Sequence, residues 1–193
     1  MSYDLKNVFF LDVSATIAAT TAGMTSAQLD LSAYIDPIAR GRQKGTGLAI
    51  YKCHYNVSPS SSGGEAMGMA EEGVFRAGIV AGAGLGNNAT GATTAAVSQQ
   101  PAAQNALSVY GFDYYGPKAS GSVNSIPSPT GHGTTYLMPS EKVPYVVVRD
   151  NVCLVIEQQV NMTAAATVGF RLECAQVSLD QATLNQLLRT QTV

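Results

Sequence analysis

Along several stretches of this chain every second residue is apolar. That period suits a strand rather than a helix, because successive side chains of an extended backbone point to opposite faces. Residues 9–17 show it most plainly: Phe9, Leu11, Val13, Ala15 and Ile17 fall on one side, Asp12, Ser14 and Thr16 on the other. Such a segment is a half-buried strand, with one face on a core and the other in water. Residues 29–35 repeat the pattern, with Leu29, Leu31, Ala33 and Ile35 opposed by Asp30, Ser32 and Tyr34. Asp36-Pro37 ends that run, since proline cannot donate to a ladder. Gly23 and its polar neighbours predict a turn between the two.

The rest of the chain follows the same grammar. Residues 38–47 carry Arg40, Arg42 and Lys44 among glycines and predict a basic turn. Residues 48–57, rich in β-branched and aromatic side chains, predict a strand, as do 74–80 and the aromatic segment 108–115. Loops are expected at 58–73, 81–100 and 116–135 from their glycine, proline, serine and alanine content. Within the second of these, residues 81–96 are almost wholly Ala, Gly, Thr and Asn, which bury too little area to build a core. Pro101 suits the first turn of a short helix at 101–107. Residues 143–149, 152–162 and 166–177 predict a strand meander, the first two joined by an Asp150-Asn151 turn, and the last placing Val168, Phe170, Leu172 and Cys174 inward. Ser178 followed by Gln181 reads as a capping box, and Leu184, Leu187 and Leu188 have helical spacing. A C-terminal helix of about ten residues near 178–189 is expected.

These elements amount to roughly seven to nine strands with no alternation of strand and long helix, which disfavours a parallel α/β sheet. The expected fold is all-β, an antiparallel β-sandwich of jelly-roll type with a short C-terminal helix. At 193 residues the chain suits a single domain. Charged residues make up 12% and hydrophobic ones 46%, which excludes a disordered chain and a charge-laced coiled coil. A net charge of −2 excludes a generally basic nucleic-acid binder. No apolar run reaches about 18 residues, so no membrane-spanning helix is expected. No charged start, apolar core and small-residue cleavage site follow Met1, so no secretory signal is expected. The triplets beginning at Asn56, Asn88 and Asn161 carry no glycosylation meaning without one.

Residues suited to chemistry are sparse. Cys53, Cys153 and Cys174 lie in strand-like runs without a C-x-x-C pair, as small buried hydrophobes do. His54 adjoins Cys53 but points to the opposite face of a strand, and His132 sits between glycines. Two histidines do not supply a zinc site. The glycines at 78, 82, 84 and 86 lack the G-x-G-x-x-G register and the helix a dinucleotide site needs. Asp12, Asp30, Asp36, Asp113 and Asp150 are scattered with no spacing that favours one pair. No catalytic residue, cofactor or metal is therefore expected. Arg40, Arg42 and Lys44 form a basic cluster suited to phosphates or a neighbouring subunit's acids, or to an ordinary solvated turn. Tyr110, Phe112 and Tyr114 share one strand face; core packing is their leading role, and a sugar-stacking platform or interface anchor the other.

Low charge lowers both the repulsion between copies and the cost of burying their surfaces. That composition fits a subunit that meets copies of itself. The layout of the strands at 9–17, 29–35 and 48–57 and of the C-terminal segment 145–177 resembles the single-jelly-roll major capsid proteins of icosahedral bacterial and archaeal viruses. The resemblance implies a shell-forming structural protein without enzyme activity. Its partners would be its own copies and other virion proteins, and it would assemble in the host cytoplasm. The 81–96 tract has no counterpart in that layout. A carbohydrate-binding or adhesion sandwich using Tyr110, Phe112, Tyr114 and the loop after them is the alternative function.

Overall fold

The alternating segments are strands, and they sort into two sheets. The computed structural model describes residues 8–18, 23–36, 44–59, 74–81, 108–115, 135–136, 139–160 and 165–191. In chain order these hold β1 (Phe9–Ile17), β2 (Gly23–Asp30), β3 (Lys44–Pro59), β4 (Val74–Ala81), β5 (Ser108–Tyr115), β6 (Thr135–Tyr136), β7 (Tyr145–Val147), β8 (Asn151–Val160), β9 (Ala166–Asp180) and the helix α1 (Gln181–Thr190). One sheet has the order β1-β9-β3-β7, the other β2-β8-β4-β5-β6. Every pairing is antiparallel. With β6 as a short addition at one edge, this strand order is a jelly roll, two Greek keys folded face to face. The fold is thus an antiparallel β-sandwich with a short C-terminal helix.

The core lies between the sheets. From the four-stranded sheet come Val13, Ile17, Leu48, Ile50, Val57, Val168, Phe170 and Leu172; from the other come Phe75, Ala77, Ile79, Tyr110, Phe112, Leu154 and Ile156. Aromatic rings bridge the layers: Phe170 meets Tyr110 edge-on with centroids 5.6 Å apart, and Tyr55 stacks on Phe112 at 4.1 Å. Each fully buried large side chain of this kind stabilises the fold by about 1.5–3 kcal/mol. In β8 the residues Val152, Cys153, Leu154, Val155 and Ile156 are all fully buried. A strand buried on both faces reads as an unbroken apolar run rather than an alternation.

Several sequence expectations need correction. The C-terminal segments are strands, but they form no meander: β7 and β9 lie in the four-stranded sheet and β8 in the other, and none pairs with another. Turn residues dictate that the chain reverses, whereas the partner of each strand comes from residues far away in sequence. The strand expected at 29–35 ends at Asp30, and the turn expected at Gly23 is the start of β2. Asp30 Oδ1 accepts the Ser32 N–H at 2.8 Å, and Leu31 O accepts from Tyr34 and Ile35, so the chain turns out of the ladder. Leu31 and Ile35 are nevertheless buried, which is why the pattern persisted through the turn. The basic turn expected at 38–47 already belongs to β3 from Lys44 onward. A bulge between Ile50 and Lys52 then shifts the inward phase from Leu48 and Ile50 to Cys53 and Val57. The strand expected at 143–149 is only Tyr145–Val147. The helix cap is Asp180, not Ser178, because Ser178 still pairs with Thr46 in the β3–β9 ladder. The expected helix at 101–107 lies outside the described residues. So do the three expected loops, except at residues 58–59, 81 and 135, which belong to strands.

Candidate interaction surface

The outer face of the four-stranded sheet follows from register. Cross-strand partners place Phe10, Glu173 and Lys52 in one row, Asp12, Arg171 and His54 in the next, then Ser14, Gly169 and Asn56, and last Thr16, Thr167 and Ser58. Arg171 holds Asp12 with two parallel bonds, Nε to Oδ1 at 2.7 Å and Nη2 to Oδ2 at 3.0 Å. That fork geometry makes the pair specific. The Arg171 hydrogen bond holds the Asp12 carboxyl below its ordinary range and raises the guanidinium in turn. The same guanidinium stands 5.8 Å over the Phe10 ring, a cation–π contact. His54 Nε2 lies 2.6 Å from Glu173 Oε1, and the Thr16 and Thr167 hydroxyls meet at 3.1 Å. Gly169 has no side chain to fill its row. The result is a depression of 420 Å³ lined by Asp12, Ser14, His54, Asn56 and Arg171.

Further along β9 the same face is covered. Ala49, Val148, Val177, Leu179 and Leu184 form a second apolar cluster, with Val146, Leu187 and Leu188 against it. The helix α1 supplies its leucines. Asp180 caps it by accepting the Thr183 N–H at 2.7 Å, and that bond holds the Asp180 carboxyl below its ordinary range. Close approach depends on Gly45, where a β-carbon would lie 2.7 Å from Leu184 Cδ2 and 3.1 Å from the Asp36 carbonyl. Just after the helix, the buried Gln191 side chain accepts from the Val148 N–H at 3.1 Å and donates to the Val146 carbonyl at 2.7 Å. It therefore takes the place of a further strand beside β7.

The sequence-derived candidates separate. Lys44 is exposed at the start of β3, opposite Asp180; Arg40 and Arg42 lie outside the described residues, so the basic cluster is represented by one member. Tyr110 and Phe112 are only 3% and 1% exposed, so their rings belong to the core and form no surface platform. Tyr114 is a strand residue opposite Phe75, with its side chain outside the described set. All three cysteines are buried, and none forms a disulfide. Burial pushes the thiols of Cys53 and Cys174 up to about 12, far from thiolate chemistry. His54 faces away from Cys53, and His132 is outside the described residues. Among the described residues no group of three His, Cys, Asp or Glu side chains is placed to hold a metal, and no helix is long and apolar enough to cross a membrane. The surface rows were missed because each residue is ordinary alone. Alternation put Asp12, His54 and Arg171 on outer faces, but nothing local says that they share a row. Gln191 left no signal at all.

No family model matches the chain, and no curated protein matches it. Among solved structures the chain is similar to VP1 proteins of polyomaviruses. VP1 of human polyomavirus 12, in complex with 3'-sialyllactosamine, aligns with a TM-score of 0.43 at 8% identity over 90% of this chain and 100% of that one. VP1 of trichodysplasia spinulosa-associated polyomavirus, in complex with GM1 oligosaccharide, aligns at 0.42 and 9% identity over 90% and 94% of the two chains. Apo VP1 of New Jersey polyomavirus aligns at 0.39 and 8% identity over 89% and 100%. The jelly roll itself rests on this chain's own strand order.

Proposed function

We propose that this chain is a structural protein that self-assembles into a viral capsid shell as one sandwich domain. The observation that carries the reading is the strand order, β1-β9-β3-β7 against β2-β8-β4-β5, with β6 at its edge. Jelly rolls of this order serve viral shells as well as lectins and cupins. Sparse charge favours the shell among these, because it lowers the cost of burying large surfaces between identical copies. The role is structural rather than catalytic. Its partners are further copies and other virion proteins, and its place is the virion, assembled in the host cytoplasm. The source we propose, on the sequence resemblance alone, is a bacterial or archaeal virus.

The glycan-binding alternative relied on Tyr110, Phe112, Tyr114 and the loop at 116–133; two of those rings are in the core, and the loop lies outside the described residues. Because one fold can serve several functions, assembly is the decisive test. Electron microscopy of the purified protein at rising concentration, over a range of salt, is expected to show particles of uniform diameter. A strictly monomeric protein under every condition would remove the shell reading.

A further inference from the structure

The two edges of the four-stranded sheet are finished differently. At β7 only three residues are in the strand, Pro144 precedes them, and Gln191 occupies main-chain groups of Val146 and Val148. These are devices that stop a sheet from growing. β1 has none of them. Its nine residues hold unbroken register with β9, with no proline, no lysine and no bulge. Among the described residues no strand pairs with its other side. A long regular edge of unpaired N–H and C=O groups is a template for another strand.

From this edge we infer that β1 pairs antiparallel with β1 of a second copy, about a two-fold axis at Val13, so that two four-stranded sheets become one continuous sheet. The inference rests on the self-assembly reading and names its contact. The sequence of β1 is complementary to its own reverse in that register. Val13 meets Val13 of the partner subunit, Leu11 meets Ala15 of the partner subunit, and Phe9 meets Ile17 of the partner subunit, all on the core-facing side. On the outer side Asp12 stands opposite Ser14 of the partner subunit and Phe10 opposite Thr16 of the partner subunit. A slip by one residue would set the apolar face against the polar one, and centring on Asp12 would oppose two carboxylates. The contact is isologous, so it closes as a dimer and leaves the rest of the surface for larger assembly.

The register makes a signed prediction, because position 14 faces Asp12 across the axis twice. Ser14→Lys should lower the dimer midpoint in sedimentation velocity of the full chain by about fivefold, and Ser14→Asp should raise it by a similar factor. Both effects should shrink as salt rises. Gln186→Lys on the exposed side of α1 should leave the midpoint unchanged. In the natural chain, hydrogen exchange over residues 9–17 should slow as concentration passes the midpoint, which needs no variant to fold. If the protein assembles while neither charge at position 14 moves the midpoint, or the 9–17 amides stay unprotected, the β1 pairing is wrong and the shell reading survives. A chain that never associates overturns both.

Discussion

Along β9 the outward-facing residues change character midway. Thr167, Gly169, Arg171 and Glu173 stand in the polar rows beside β1 and β3, whereas Ala175, Val177 and Leu179 are buried, the last two in the cluster beneath α1. The same strand in the same sheet is thus finished once by solvent and once by a helix. Backbone pairing changes at the same point: β1 pairs only with residues 166–174 of β9, and the β3–β9 ladder, which runs from Lys44↔Asp180 to Pro59↔Ala166, carries its bulge there between Ile50 and Lys52. What separates the halves is how each satisfies its surface. The covered half excludes water and contributes stability by burying area. The open half balances its charges across strands, and pairs of that kind in water contribute little.

The sharpest way to test the contrast is to hollow the covered half. Leu184 is fully buried, and Leu184→Ala is expected to cost about 2–5 kcal/mol, read from the urea midpoint. A loss no larger than that of an exposed-face variant would mean that the helix is not part of the cooperative fold. Gly45→Val attacks the same contact from the sheet side. Its β-carbon would crowd Leu184 and the Asp36 carbonyl, and a destabilisation of about 1–3 kcal/mol is expected.

Gln191→Ala comes next. It strips the Val148 N–H and the Val146 carbonyl of their partner, and a cost of about 1–3 kcal/mol follows for buried groups left unsatisfied. It would also bare the edge of β7, so the variant should aggregate more readily on light scattering. The helix cap brings pH into the comparison. The Asp180 carboxyl is held below the ordinary aspartate value of 3.8 chiefly by the Thr183 N–H. A depressed folded-state pKa means that the cap's contribution is complete at neutral pH and is lost as pH falls below that value through the folded-state pKa. Asp180→Asn should therefore flatten the acid side of a stability–pH profile, and an unchanged profile would sink the cap assignment. The smallest effect is expected in the open half. Asp12→Asn should shift the melting temperature only slightly, less in high salt than in low.

Much of this architecture was legible before folding. The alternation in residues 9–17 and 166–177 gave both the strands and the faces that they bury, because side-chain direction in an extended chain depends only on position parity. Residues 108–115 were legible as a strand from their aromatic content. The bulge in β3 was present as two adjacent apolar residues, Ile50 and Tyr51, but a phase shift carries meaning only once β9 lies alongside. The aromatic face of Tyr110 and Phe112 was visible as a unit, and its burial was settled by the opposite sheet, where Phe170 and Tyr55 meet it. The candidate surface was the least legible part. Asp12 and Arg171 are 159 positions apart, and no local pattern joins residues at that distance.

By itself the sequence determined most of the extended segments, the apolar faces of the clearest strands and that a helix follows β9, all through interactions within a few neighbouring residues. Only the tertiary structure decided which strands share a sheet, that β7, β8 and β9 part company, where the helix settles and that, among the described residues, no strand covers the outer edge of β1 while Gln191 closes β7. Those outcomes come from register and packing between segments distant in the chain, where many pairings satisfy the same local pattern and the one with the best mutual burial prevails.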